Sequence, residues 1–291
     1  MAEQRESFLV YPGIALTFFH LQAENYQVHH AQGADVMHIN HCRRGRLVWT
    51  MKEGETFFIG PGDLLLHLAD CCSQSQIGLP LGSYEGVSIS VELNTLTTNP
   101  PEILKEAGID GEKLYKKFFQ EGHAAAMPAS DQIDHIFSEF YDLPEEVRLP
   151  YYKLKVQELL LFLSQMEISE ENALDRTLSS QVGVIRNIHD DLVSHPEKRV
   201  TIEELAKEYL INTSTLKTVF KAVYGQPLAT YMKEYRLQYA AQLLASTDEP
   251  ISKIARKVGY ESPSKFTKAF KEEYRVLPSD YRKQQGKVLR V

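Results

Sequence analysis

Two stretches of this chain read almost as one phrase: STLKTVFKAVYGQPL from Ser214 to Leu228, and SKFTKAFKEEYRVLP from Ser264 to Pro278. Laid out fully, LAKEYLINTSTLKTVFKAVYGQP (205–227) and IARKVGYESPSKFTKAFKEEYRVLP (254–278) each predict a short helix, a tight turn and a second helix. Leu216, Phe220 and Tyr224 answer to Phe266, Phe270 and Tyr274, a four-residue spacing that places three anchors on one face of each second helix. Ala206 answers to Ala255, where a small side chain lets the two helices of a pair cross closely. Asn212 is suited to cap one second helix, and Ser262 followed by Pro263 to start the other. The opposite face carries Lys217 and Lys221 in the first copy, and Lys265, Lys268 and Lys271 in the second. A helix apolar inward and basic outward is suited to a nucleic-acid groove.

Between the copies, PLATYMKEYRLQYAAQLLAS from Pro227 predicts one helix of about 20 residues, or ~30 Å. Successive major grooves on one face of DNA recur about every 34 Å. A rigid connector of that length can set two recognition helices in adjacent grooves. Charge agrees: from Gln181 onward there are 19 Lys and Arg against 13 Asp and Glu, a net of +6, so the remainder carries −13 in a chain whose total is −7. A basic segment alone is also compatible with an ordinary solvated surface.

The stretch from about Val182 to Arg282 resembles the DNA-binding domain of the AraC/XylS transcription regulators, through Leu205-Ala206, Leu216, Phe220, Gly225, YMKEYRLQYAAQLLAS, ISKIARKVGY, Phe266, Phe270 and LPSDYR with Pro278 and Tyr281. The resemblance implies contacts to double-stranded DNA from Ser214, Thr215, Lys217, Thr218 and Lys221, and from Pro263, Ser264, Lys265, Lys268 and Lys271. It also implies an activator-type regulator that forms a homodimer, meets RNA polymerase and answers a small-molecule effector of unstated identity. Leu210 and Arg275 stand where the family usually has glycine, and Thr218 is short where a long basic side chain is common.

The first ~95 residues are written in strands: ALTFFHL, MHINHCRRGRLVWTM, ETFFIGPGDLLLHL and YEGVSISVEL are separated by turn residues, with hairpin tips expected at Lys52-Glu53-Gly54 and Gly60-Pro61-Gly62-Asp63. Val87, Ile89, Val91 and Leu93 alternate with polar neighbours. This predicts a small antiparallel barrel of cupin or jelly-roll type, and IGPGDLLLH resembles the second cupin motif. Helices follow around 101–108 and 133–141.

From Leu149, apolar residues fall at Tyr152, Val156, Leu159, Leu163 and Met166, spaced 3, 4, 3, 4, 3, which suits a seam between two subunits or an amphipathic helix packed on its own barrel. The expected fold is therefore α+β and multidomain: barrel 1–95, helical dimerisation region 96–166 with Tyr152, Val156, Leu159, Leu163 and Met166 at the interface, polar linker 167–180, and an all-α domain 181–285 with two helix-turn-helix units joined by a long helix.

His41, Arg43, Trp49, His67 and Tyr84 are the candidates to line an effector cavity. A metal-dependent cupin enzyme is the alternative, and a regulator with no effector a third reading. Metal chemistry needs histidines that converge. His38 and His41, three apart on a strand, point to opposite faces, and adjacent His29 and His30 do the same. No metal or other cofactor is expected. Cys42, Cys71 and Cys72 form no CxxC pair and are read as reduced thiols, no apolar run reaches the ~20 residues of a membrane helix, and MAEQRESF lacks a secretory signal, so a cytoplasmic protein is expected.

Overall fold

The computed structural model describes residues 2–23, 25–26, 35–50, 55–72, 75–120, 124–167 and 177–288. The expected hairpin tip at 52–54, His29 and His30, and most of the 167–180 linker lie outside the described residues. The chain divides into two compact units, 1–179 and 180–291.

In the first unit the strands are β1 (Ala2–Tyr11), β2 (Ile14–Gln22), β3 (Asn25–Tyr26), β4 (Val36–Gly45), β5 (Leu47–Thr50), β6 (Glu55–Ile59), β7 (Leu64–Leu68), β8 (Gln76–Gly78), β9 (Ser83–Glu92), β10 (Ala124–Met127) and β11 (Thr177–Leu178). They pair antiparallel in two sheets, in the orders β1-β2-β9-β4-β7-β10 and β11-β6-β5-β8-β3. The expected antiparallel cupin- or jelly-roll-like domain is seen as two antiparallel sheets, but it is not a barrel: among the described residues neither sheet closes on itself. The cause lies at the β4–β5 junction. Gly45 has φ 85°, and a Cβ there would collide with the Ser83 carbonyl. The chain turns through this glycine, so the next strand leaves the sheet of β4 and joins the other one.

The period-two pattern sends the larger sheet's side chains alternately to two cores. Leu16, Met37, Ile39, Leu64, Leu66, Val87, Ile89 and Val91 pack on one side against helices, whereas Leu21, Cys42, Leu65 and Tyr84 pack on the other against Trp49, Phe57, Ile59 and Ile77 of the smaller sheet. Covered on both faces, β7 is buried at all five positions, which is why LLLHL reads as a continuous apolar run.

The helices of this unit are α1 (Leu93–Thr98), α2 (Glu102–Glu106), α3 (Gly111–Phe119), α4 (Asp131–Ser138) and α5 (Glu145–Gln165). Asp110 and Ser130 cap α3 and α4 by accepting from Lys113 N and Ile133 N. The spacing read as a subunit seam lies on α5, but Tyr152, Val156, Leu159 and Leu163 are at most 3% exposed, inside the core beneath the larger sheet, and Met166 packs against that core. The dimer assignment for these five residues is corrected: the protein's own sheet occupies them. The open face of α5 carries Val147 and Leu154, the latter 62% exposed.

The second unit is helical throughout: α6 (Ser179–Ser194), α7 (Ile202–Glu208), α8 (Thr213–Tyr224), α9 (Leu228–Ser246), α10 (Ile251–Lys257), α11 (Pro263–Tyr274) and α12 (Pro278–Val288). Val182, Ile185, Ile188 and Leu192 of α6 are buried. Thr201 starts α7 with a reciprocal capping box to Glu204.

Candidate nucleic-acid interface

The sequence repeat is also a repeat of geometry. Asn212 caps α8 through Ser214 N at 2.8 Å, and Ser262 caps α11 through Lys265 N at 3.2 Å. Leu216 and Phe220, like Phe266 and Phe270, are fully buried. Each second helix then closes on an aromatic triad. Phe220, Tyr224 and Tyr231 have centroid separations of 4.6, 5.2 and 5.6 Å, and Phe270, Tyr274 and Tyr281 of 4.5, 5.3 and 5.4 Å. Tyr231 and Tyr281 each follow the preceding tyrosine by seven residues, a signal present in the sequence beyond the two quoted phrases. In the first copy His189 extends the stack, lying on Tyr224 at 4.4 Å and bonded through Nε2 to the Tyr231 hydroxyl at 2.9 Å.

With the apolar face of each helix fixed inward, the remaining positions face water. On α8, Ser214, Lys217, Thr218 and Lys221 are exposed and Thr215 is half-buried, while on α11 Pro263, Ser264, Lys265, Lys268 and Lys271 are all exposed. The first face offers two ammonium groups and the second three. None of the five lysines has a carboxylate within ion-pair distance among the described residues. Unpaired, solvated ammonium groups on one helix face suit phosphate and base-edge acceptors.

The turns differ between the copies in a reciprocal way. At the helix-to-helix turn, Leu210 (φ 50°) answers to Gly259 (φ 81°), and at the end of the second helix Gly225 (φ 84°) answers to Arg275 (φ 62°). The left-handed conformation is thus retained at all four sites, with glycine at one and an L-side chain at the other of each pair. α9, the connector, has 19 residues, about 28 Å at 1.5 Å per residue.

The five candidate effector residues of the first unit do not converge. Trp49, His67 and Tyr84 lie in the core between the sheets, where His67 meets Trp49 edge-on at 4.5 Å. His41 lies on the helix side, stacked on Phe137 at 4.0 Å, and burial pulls its pKa down to about 4. Arg43 sits at the rim, pairing with Glu85 at 2.6 Å and Asp142 at 2.7 Å over the Tyr141 ring. Trp49 and His67 stay together, whereas the Tyr84 hydroxyl donates to the His41 carbonyl at 3.4 Å, and Arg43 stands apart at the rim. His38 stacks on His67 at 5.1 Å across the β4–β7 pair, away from His41, and among the described residues no three metal-ligating side chains cluster. Cys42 is buried and burial raises its thiol pKa to about 12, which keeps it protonated.

Two helix-turn-helix units on one connector define a DNA-binding regulator. The profile of the family described as "Helix-turn-helix domain" matches residues 205–284. The regulatory protein SoxS of Salmonella typhimurium is 32% identical over 103 residues, covering 35% of this chain and 96% of that protein. A putative AraC-like transcription regulator of Streptomyces antibioticus is 38% identical over 118 residues, covering 38% and 39%. The RCS-specific transcriptional activator RclR of Escherichia coli is 25% identical over 274 residues, covering 89% and 88%. The chain spans only 30% and 46% of the length of two further curated relatives, a transcriptional regulator of Acinetobacter baylyi and a lactose operon transcription activator of Staphylococcus xylosus. The chain belongs to the AraC/XylS family of DNA-binding transcription regulators. The relatives named here are regulators and none an enzyme, and the metal-enzyme alternative is set aside on that ground. No helix among the described residues is long and apolar enough to cross a membrane.

Proposed function

We propose that the chain binds promoter DNA by laying α8 and α11 in successive major grooves, and that its N-terminal unit receives a small-molecule signal. The observation that carries this reading is the duplicated solvent-facing surface, with Lys217 and Lys221 on one helix and Lys265, Lys268 and Lys271 on the other, separated by the 19-residue α9. Ser214, Thr215, Thr218, Pro263 and Ser264 stand at the leading ends of the same helices, where short side chains approach base edges and phosphates. The effector reading is supported by the alignment with RclR, which runs through both units. Trp49 and His67, in contact between the sheets, are its proposed contacts.

The same proposal includes a homodimer through the open face of α5, where the exposed Val147 and Leu154 stand seven residues apart, and a contact with RNA polymerase when bound at a promoter. Binding promoter DNA places the protein in the cytoplasm. The test is direct. Residues 178–291, the second unit with its leading residues, should bind duplex DNA alone, with an affinity that falls steeply as salt rises. No binding at low salt would refute the reading.

A further inference from the structure

The second unit contains a concavity that none of the proposed DNA contacts lines. It is a half-open cavity of about 520 Å³ between the segment before α7, the start of α7, and α9. Three cations stand around it, Arg199, Lys233 and Arg236, against one acid, Glu203, and Leu228 and Met232 form part of its apolar wall.

The two guanidinium groups are anchored rather than neutralised. Arg199 donates through Nε to the Gly259 carbonyl at 2.8 Å, and Arg236 donates to the carbonyls of Pro196 at 2.8 Å and Lys198 at 2.7 Å. Among the described residues no carboxylate lies within ion-pair distance of Arg199, Lys233 or Arg236. Burial, and the repulsion of Arg199, both lower the pKa of Arg236. Backbone carbonyls hold the planar groups in place, but they leave a net positive charge beside an apolar wall. A cavity of this size matches a small ligand. An arginine fork matches a carboxylate, and the apolar side matches a compact hydrocarbon body. A phosphodiester backbone has no apolar body to fill such a wall.

We infer that the cavity formed by Arg199, Lys233, Arg236, Leu228 and Met232 binds a small organic carboxylate with a compact apolar body. Such a ligand touches both α7 of the first helix-turn-helix unit and the connector α9. This site is separate from the proposed groove-reading surfaces, and its failure would leave the DNA reading untouched.

The chain provides its own reporter. It has six methionines, and Met232 is the one within residues 180–291. In a spectrum of the full chain labelled at the methionine methyls, the Met232 signal is the one lost in Met232→Leu. Benzoate is expected to shift that signal saturably, with a midpoint in the low millimolar range or below, whereas benzamide, its neutral isostere, shifts it far less. Lys233→Gln removes an exposed ammonium and should raise the benzoate midpoint about threefold to tenfold. The inference is overturned by a Met232 signal that benzoate does not move, by equal effects of benzoate and benzamide, or by an unchanged midpoint in Lys233→Gln. Inorganic phosphate that saturates the shift as well as benzoate would overturn the assignment of an organic carboxylate with an apolar body and leave a bare oxyanion site.

Discussion

The Arg199 side chain donates to the carbonyl of Gly259 at 2.8 Å, so the segment leading into the first helix-turn-helix unit is tied to the turn of the second. Gly259 has φ 81°, and a Cβ there would lie 2.7 Å from the Pro196 carbonyl and 3.2 Å from Arg236 Nε. Gly259→Ala therefore meets a left-handed backbone and two fixed neighbours at once. The expected loss is about 2 kcal/mol or more in urea unfolding of the second unit.

Leu210 and Arg275 carry the same backbone strain without glycine's relief, and Leu210 is 94% exposed, so little packing opposes its replacement. Leu210→Gly and Arg275→Gly should each stabilise the unit by about 0.5 to 1 kcal/mol, the left-handed penalty less the extra unfolded-state entropy of glycine. Leu210→Ala, which keeps the strain, should not. Urea midpoints of the three variants decide.

Leu159 and Leu163 are fully buried on α5. Replacing either with Asp places a carboxylate in an apolar core, a cost of several kcal/mol that approaches the whole stability of a domain. Circular dichroism should report loss of the first unit's structure. Leu154→Asp, on the exposed face, should stay folded, and if the proposed α5 dimer forms, sedimentation should report a lower mass for this variant than for wild type.

Lys268 on α11 has no long basic counterpart at Thr218 on α8, so the two recognition helices are expected to contribute unequally. Lys268→Ala should cost about 1 to 3 kcal/mol and relax base preference at one or two positions if the ammonium meets a base edge. An even loss with a flatter salt slope would assign it to phosphate. Binding-site selection at fixed salt separates the two, and no change in either would remove α11 from the groove.

The pKa of His41 near 4 sets an acid limit. Between about pH 6.5 and pH 4 the unfolded chain protonates this imidazole and the folded chain does not, so stability rises with pH across that window and is lost on acidification, by up to about 3 kcal/mol. His41→Phe preserves an aromatic ring against Phe137 and should flatten the difference between urea unfolding at pH 7 and pH 5.

The helices of the second unit were legible in the sequence because each of their signals is local. The Asn212 and Ser262 caps, the Pro263 start and the four-residue aromatic spacing all act within one or two turns. The first unit depends on partners far along the chain. β10, AAAM, has neither alternation nor β-branched residues, and it becomes a strand through pairing with β7. α5 shows the limit from the other direction: its 3-4 spacing identifies an apolar face, but spacing cannot state whether a second subunit or the chain's own sheet covers it. For the same reason the sequence alone groups His41 with His67. Strand parity separates residues on one strand, whereas residues on different strands are separated only by register.

Trp49 is the single tryptophan of the chain, 3% exposed between the two sheets and edge-on to His67. The intrinsic emission of the whole protein, excited beyond the tyrosine band, therefore comes from one indole in the N-terminal core. Its spectrum should be blue-shifted and insensitive to acrylamide, and a red shift on heating times the opening of that core alone while the tyrosine-rich C-terminal helices stay dark.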